Sequence, residues 1–137
     1  KKVENQKELK EAMNIRYRVF VEEQGVPENL ERDEKDGQAV HVVAQIKNDI
    51  IGCGRIVFST QKGKIGRVAV LKSYRGQGIG SDICKKLIKI AEEKGVNKVI
   101  LHAQLHSVEF YKKLGFEPVG DIFEEAGIDH IKMVFEI

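Results

Sequence analysis

The sequence predicts an α/β fold: a mixed, mostly antiparallel central sheet flanked by helices on both faces. Three observations predict it. Two consecutive Val/Ile-rich hairpin patterns fill residues 41–71. A glycine-rich turn then opens an amphipathic helix that leads into another buried strand. A last pair of strand-like segments closes the chain. The 137 residues suit a single domain, 1–137, with one core.

Residues 6–24 read as helix, because Leu9, Ala12, Met13, Arg16, Phe20 and Val21 follow a mixed helical period that Gly25 and Pro27 end. Glu28 to Gly37 is acidic and without apolar period, and reads as an exposed loop. His41–Lys47 and Ile50–Ser59 form a hairpin about Asn48-Asp49. Lys62-Gly63 is a second turn candidate, and Ile65–Leu71 the third strand. A helix over about Ser81–Lys94 carries Ile83, Cys84, Leu87, Ile88 and Ala91 on one face, with Gly95 at its C′ position. Val96–Ala103 is a buried strand and His106–Leu114 a short helix stopped by Gly115. Phe116–Val119 and Ile131–Ile137 are the closing strands, with an acidic loop, Gly120–Asp129, between them. Strands 65–71 and 97–103, joined through a helix, are expected to be parallel neighbours.

Composition excludes several functions. The 23 Lys and Arg against 21 Asp and Glu lack the basic surplus of a nucleic-acid binder. No apolar run approaches the ~20 residues of a membrane span. The two cysteines, Cys53 and Cys84, read as small buried thiols, neither a disulfide framework nor a zinc pattern. No signal-peptide pattern is visible, so the expectation is a cytoplasmic protein without a metal, although a first residue other than Met leaves earlier residues open.

The chemistry lies in Arg75-Gly76-Gln77-Gly78-Ile79-Gly80, between a strand and a helix. A helix N-terminus offers unpaired N–H groups and partial positive charge, and glycines let the backbone approach an anion closely. Arg75 adds a charged donor. A dinucleotide site fails, because Ser81 stands at the third glycine position and Val96–Leu101 contains no acid. A P-loop fails because no Lys follows Gly80.

Arg75, Gly78 and Gly80 as Arg-x-x-Gly-x-Gly, preceded by Val68-Ala69-Val70 and followed by Phe110-Tyr111-Lys112-Lys113-Leu114-Gly115-Phe116, resemble the coenzyme A signature and Tyr-x-x-x-Gly-Phe segment of the GNAT N-acetyltransferase superfamily. Arg16, Val19-Phe20-Val21, Glu23-Gln24, Pro27, Asp33, Asp36, His41 and Gly127-Ile128-Asp129-His130 resemble its ElaA-type branch. The resemblance implies that strands 65–71 and 97–103 splay to admit coenzyme A. The pantetheine arm then bonds to the backbone around Val68, Ala69 and Val70, the thioester carbonyl meets the Val70 N–H, and the pyrophosphate sits on residues 75–80. It implies acetyl-CoA as cosubstrate and a primary amine of a small molecule or peptide as acceptor. It also implies Tyr111 as the expected general acid, a phenol of pKa about 10 being able to protonate a leaving thiolate of about 8.5. Gln104, where the family often has Asn, is expected to bond a pantetheine carbonyl.

An alkylammonium is only ~0.04% neutral at pH 7, so a base is expected. The candidates are Glu23, Asp33, His41, His102 and His130, with Glu23, His41 and His130 as acceptor-binding residues; a base acting through water fits equally. The acidic stretch 28–36 could attract a cationic acceptor, although solvation alone explains it. A non-catalytic acyl-CoA-binding module and an acyl-homoserine lactone synthase, which shares Arg16 and Val19-Phe20, are the alternatives; the chain is short for the second. Oligomeric state is open, a homodimer included.

Overall fold

The computed structural model describes residues 1–137. Its centre is a six-stranded sheet of order β1-β2-β3-β4-β6-β5. The strands are β1 (Val40–Ile46), β2 (Asp49–Ser59), β3 (Lys62–Val70), β4 (Lys98–Gln104), β5 (Glu117–Glu125) and β6 (Ile128–Glu136). β3 and β4 are parallel and every other neighbouring pair is antiparallel. The expected mixed sheet is therefore present.

Helices cover both faces. α1 (Gln6–Arg16) is capped by Asn5, whose side chain accepts from the Glu8 N–H, and runs on as a π-helix, Tyr17–Glu23. Ala12, Ile15 and Val19 pack on Val43, Cys53 and Ala69 on one face. α3 (Ile79–Lys94) buries Ile83, Leu87, Ile88 and Ala91 on the other, against Val42, Ile56, Ile65, Val99, Leu101 and Met133. Each fully buried Leu or Ile there contributes roughly 1.5–3 kcal/mol. The helix lies close to β2 because residue 54 is glycine: a Cβ there would stand 2.8 Å from Ile83 Cγ2 and 3.0 Å from Leu87 Cδ1. α4 (Val108–Lys113) follows a 3-10 turn, Leu105–Ser107, on the same side as α3.

Several local expectations are corrected. The two-residue turns are Lys47-Asn48 and Thr60-Gln61, because Ile46 pairs with Asp49 and Ser59 with Lys62. Lys47 (φ 56°) and Gln61 (φ 63°) supply the left-handed conformation without glycine. Gly120–Asp129 is no loop: β5 and β6 pair through it to a tight Ala126-Gly127 turn, and three residues, Gly120–Ile122, bulge between the pairs Val119–Lys132 and Phe123–His130. β5 is an edge strand, where outward acids are tolerated.

The segment Glu28–Gly37 is exposed at most positions, as expected, but it is not irregular. It forms a helical turn, α2 (Glu28–Glu31), and a 3-10 turn, Glu34–Gly37. Its acids fold onto arginines of the sheet and of α1. Arg16 bonds Glu31 Oε2 at 2.6 Å and Asp36 Oδ1 at 2.7 Å, with the Arg16 and Glu31 side chains both 2% exposed. Arg55 bonds Asp33 and Asp36 at 2.7 and 2.6 Å. Arg67, at a bulge in β3 with φ 55°, reaches Glu31 and Asp33. These acids thus answer buried cations and are not free to attract a ligand.

Candidate active site

The parallel pairing of β3 with β4 stops at Ile65 and Leu101. Beyond that point β3 stays paired with β2 as far as Val70, and β4 with β6 as far as Gln104. The two strands therefore part, leaving main-chain groups of β3 without a neighbour. Leu71 donates its N–H to Ile51 O, on the β2 side. By the alternation of an antiparallel ladder, the N–H groups of Val70 and Val68 point the other way, into the gap.

A cleft of about 440 Å³ opens at this gap. Of the residues expected to hold a cofactor, Val68, Ala69, Val70, Arg75, Gly76, Gly78, Ile79, Gly80 and Tyr111 line it. Gln77 does not, and Gln104 stands at the end of β4, where its Nε2 donates to Gln24 Oε1 at 2.9 Å. Tyr74, Ser81, Ser107 and Phe110, none of them expected to hold the cofactor, complete the lining.

Helix α3 begins at Ile79, two residues earlier than expected, after Gly78 as N-cap. Gly78 has no side chain to cap the helix, and its φ of 82°, like the 79° of Gly76, lies where only glycine is unstrained. An added Cβ at either residue would meet nothing within 4 Å, so the loop is open on its outer side. The N–H groups of residues 76–81 make no hydrogen bond within the protein; the first helical bond runs from Asp82 N to Gly78 O. Several unpaired amides at the positive end of a 16-residue helix suit a phosphate group.

Arg75 is already engaged. Its Nε donates to Val70 O at 2.9 Å, and its two terminal nitrogens each donate to a Glu23 oxygen at 2.7 Å. The Arg75 hydrogen bond holds the Glu23 carboxyl below its usual pKa, and Glu23 holds Arg75 above its own. Two guanidinium N–H bonds remain for an anion. Glu23 is thus an arginine partner, not a free acceptor ligand.

Tyr111, on α4, packs against Phe110 and Phe116 with ring centroids 5.0 and 5.9 Å away. Burial, with a smaller contribution from Cys84, pushes its phenol well above the ordinary value. Tyr111 lines the cleft, and its hydroxyl has no protein partner, yet it is no orphaned buried atom. Burial pushes both cysteines up to about 12, which leaves them inert thiols.

The other candidates fall into two groups. His41 and Asp33 lie in the arginine cluster. His41, on β1, donates from Nε2 to Asp36 O at 2.9 Å and sits two strands, roughly 10 Å, from β3. Asp33 is held down to about 2, chiefly by its hydrogen bond with Arg55, so it is spent as a base. Both are removed from the cleft. His102 and His130 come together with a residue the sequence reading missed, Glu125. His102 Nδ1 is 3.0 Å from Glu125 Oε1, and His130 Nε2 is 3.8 Å from Glu125 Oε2. Phe123 stacks on His130 and meets His102 edge-on. Glu125 escaped notice because its strand read as a loop. No three His, Cys, Asp or Glu groups are placed to hold a metal.

A sheet whose one parallel pair opens beside a glycine-lined helix N-terminus is the fold of coenzyme A-dependent acyltransferases. The chain belongs to the GNAT acetyltransferase family, whose domain model matches residues 3–137. It is 40% identical over 131 residues to YjcF of Bacillus subtilis, described as an uncharacterized N-acetyltransferase, covering 95% of this chain and 94% of that one. It is 32% identical over 130 residues to ElaA of Escherichia coli, covering 91% and 85% of the two chains. The crystal structure of Escherichia coli ElaA superposes with a TM-score of 0.87 at 30% identity, over 97% of this chain and 93% of that one. These likenesses place the chain in the ElaA-type branch. No helix is long and apolar enough to cross a membrane.

Proposed function

We propose that this chain, as one domain over residues 1–137, transfers the acetyl group of acetyl-CoA to a primary amine of a small molecule or peptide by direct attack in a ternary complex. The observation that carries this reading is the gap beyond Ile65 and Leu101, bordered by the free amides of residues 76–81. A diphosphate fits those amides and the two unused Arg75 donors. The Val68 and Val70 backbone offers an extended arm the bonds of an added strand, and Gln104, outside the cleft lining at the end of β4, would have to release Gln24 to bond a pantetheine carbonyl. When bound, the cosubstrate supplies an activated acyl group on a thiol leaving group.

The chain's own residues do the rest. The Val70 N–H is a fixed donor aimed into the cleft, suited to the charge that develops on a thioester oxygen. The Tyr111 hydroxyl, free of protein partners, donates a proton to the departing sulfur. Burial weakens it as an acid, but a thiolate held in the same cleft is made more basic by the same burial, so the two remain matched. The test is calorimetric titration with acetyl-CoA followed by free-thiol release with polyamines, amino acids, amino sugars and lysine peptides. Binding with amine-dependent release is expected. Binding without release on any acceptor favours a non-catalytic acyl-CoA-binding module, and no binding ends the reading.

A further inference from the structure

One face of the sheet is only half covered. α1 packs over β1, β2 and β3 and leaves the same side of β4, β6 and β5 bare of a helix. Val99, Leu101 and Ala103 point into the α3 core, so their neighbours Ile100, His102 and Gln104 point to the bare side. Register extends the face across four strands. Lys64 lies opposite Ile100, Lys132 opposite His102, His130 opposite Gln104, and Phe123 opposite His130 with Glu125 two residues on. His102 is the first residue of β4 on this face beyond the last parallel pair, at the notch where the strands part. Tyr111 reaches the cleft from the other side of the sheet, with the α3 core.

The charges on this face are arranged in a way the fold does not require. Glu125 is aimed at His102 and His130, with its side chain 46% exposed. Because a carboxylate only accepts, His102 Nδ1 carries the hydrogen of that bond, which leaves Nε2 of the neutral ring with a free lone pair. His130 is fixed from behind by its Nδ1–H to Ile128 O at 2.7 Å. Lys64 and Lys132 are partly buried on the same face and appear in no ion pair, unlike Arg16, Arg55 and Arg67. Burial lowers the Lys64 pKa, with Glu125 acting in the opposite sense. Unpaired ammonium groups beside one accessible carboxylate form a surface that complements a molecule carrying both signs.

We infer that this face binds the acceptor and that the acceptor is an amino carboxylate, its ammonium meeting Glu125 and His102 and its carboxylate meeting Lys64 and Lys132. This rests on the acetyltransferase reading above. The ammonium gives one proton to His102 Nε2. The freed nitrogen pair then forms a bond to the thioester carbon, and the C–S bond breaks with its electrons going to sulfur. Sulfur takes the Tyr111 proton, and the second proton lost from nitrogen as the amide forms restores Tyr111 through solvent. One amide, one thiol and one proton result.

Matched acceptors test it: L-lysine against cadaverine, L-phenylalanine against phenethylamine, and β-alanine against ethylamine, by thiol release. Acetyl-CoA binding is measured separately by calorimetry. At least one carboxylate-bearing member is expected to exceed its partner tenfold or more in kcat/KM, and Lys64→Met to bring that ratio within threefold of unity. Glu125→Gln is expected to raise the amine KM tenfold or more, and His102→Gln to lower kcat, both with acetyl-CoA affinity within twofold of wild type. Acetyl-CoA binding with equal use of each pair, with a preference that survives Lys64→Met, with no effect of Glu125→Gln on KM, or with no turnover of any of the six overturns this inference alone. Failure of wild-type protein to bind acetyl-CoA overturns the transferase reading beneath it.

Discussion

Replacing Tyr111 by Phe separates chemistry from architecture. The phenol ring fills space between Phe110 and Phe116, and the substitution keeps that ring. The hydroxyl has no protein hydrogen-bond partner, so its loss leaves no donor or acceptor stranded. The stability change is therefore within about 1 kcal/mol. General acid catalysis by a positioned side chain is worth about 10²–10⁴ in rate. At 1.36 kcal/mol per decade that is roughly 2.7–5.4 kcal/mol of barrier, well above the stability effect. Steady-state thiol release, calorimetry with coenzyme A and thermal melting of the same preparation give the three numbers. Expected are a kcat lower by a hundredfold or more, a dissociation constant within twofold and a melting temperature within a few degrees. A kcat within threefold of wild type would show that the sulfur leaves without this proton, and Tyr111 would be only a core aromatic.

Three other predictions bear on the loop, its arginine and the acid cluster. Gly78→Ala forces a Cβ onto a residue at φ 82°, a cost of about 1–2 kcal/mol, and coenzyme A affinity is expected to fall roughly tenfold by calorimetry; unchanged affinity would separate this turn from the ligand. Glu23→Gln removes a carboxylate that competes for Arg75, and because the pair is exposed the gain is small: coenzyme A binding about two- to fivefold tighter at low salt, weaker binding being the contrary result. The Asp33 pKa is lowered from its unfolded value to about 2, so its pairing with Arg55 stabilises the fold above pH ~4 and that contribution is lost as pH falls from ~4 towards ~2. Melting temperatures between pH 5 and pH 2 are expected to fall less steeply for Asp33→Asn than for wild type, and equal slopes would count against the pairing.

The sequence was most legible where period and punctuation agree. The α3 stripe and the Gly95 C′ position, with Gly95 at φ 84°, mark one helix clearly. The glycine loop between a strand and that helix gave away the cleft, because Gly76, Gly78 and the free amides are local properties of the chain. What depended on distant partners was hidden. Glu31 and Asp36 read as solvated acids because Arg16, which buries them, is 15 and 20 residues away. β5 read as a loop because an edge strand need not alternate and its bulge breaks the period. The same misreading concealed Glu125, whose place beside His102 and His130 exists only after β4, β5 and β6 are paired. Glu23 read as an acceptor-binding residue because its bond to Arg75, 52 residues on, leaves no signal in composition or spacing.

The amides of residues 76–81 are the point on which most of this turns. Titration of ¹⁵N-labelled protein with coenzyme A, and with pantetheine at the same concentrations, reads them one by one. Gly76, Gly78, Ile79, Gly80 and Ser81 are expected to shift with coenzyme A and to stay largely in place with pantetheine, which lacks the diphosphate. Shifts confined to other parts of the chain, or equal for both ligands, would mean that the N-terminus of α3 does not hold the diphosphate.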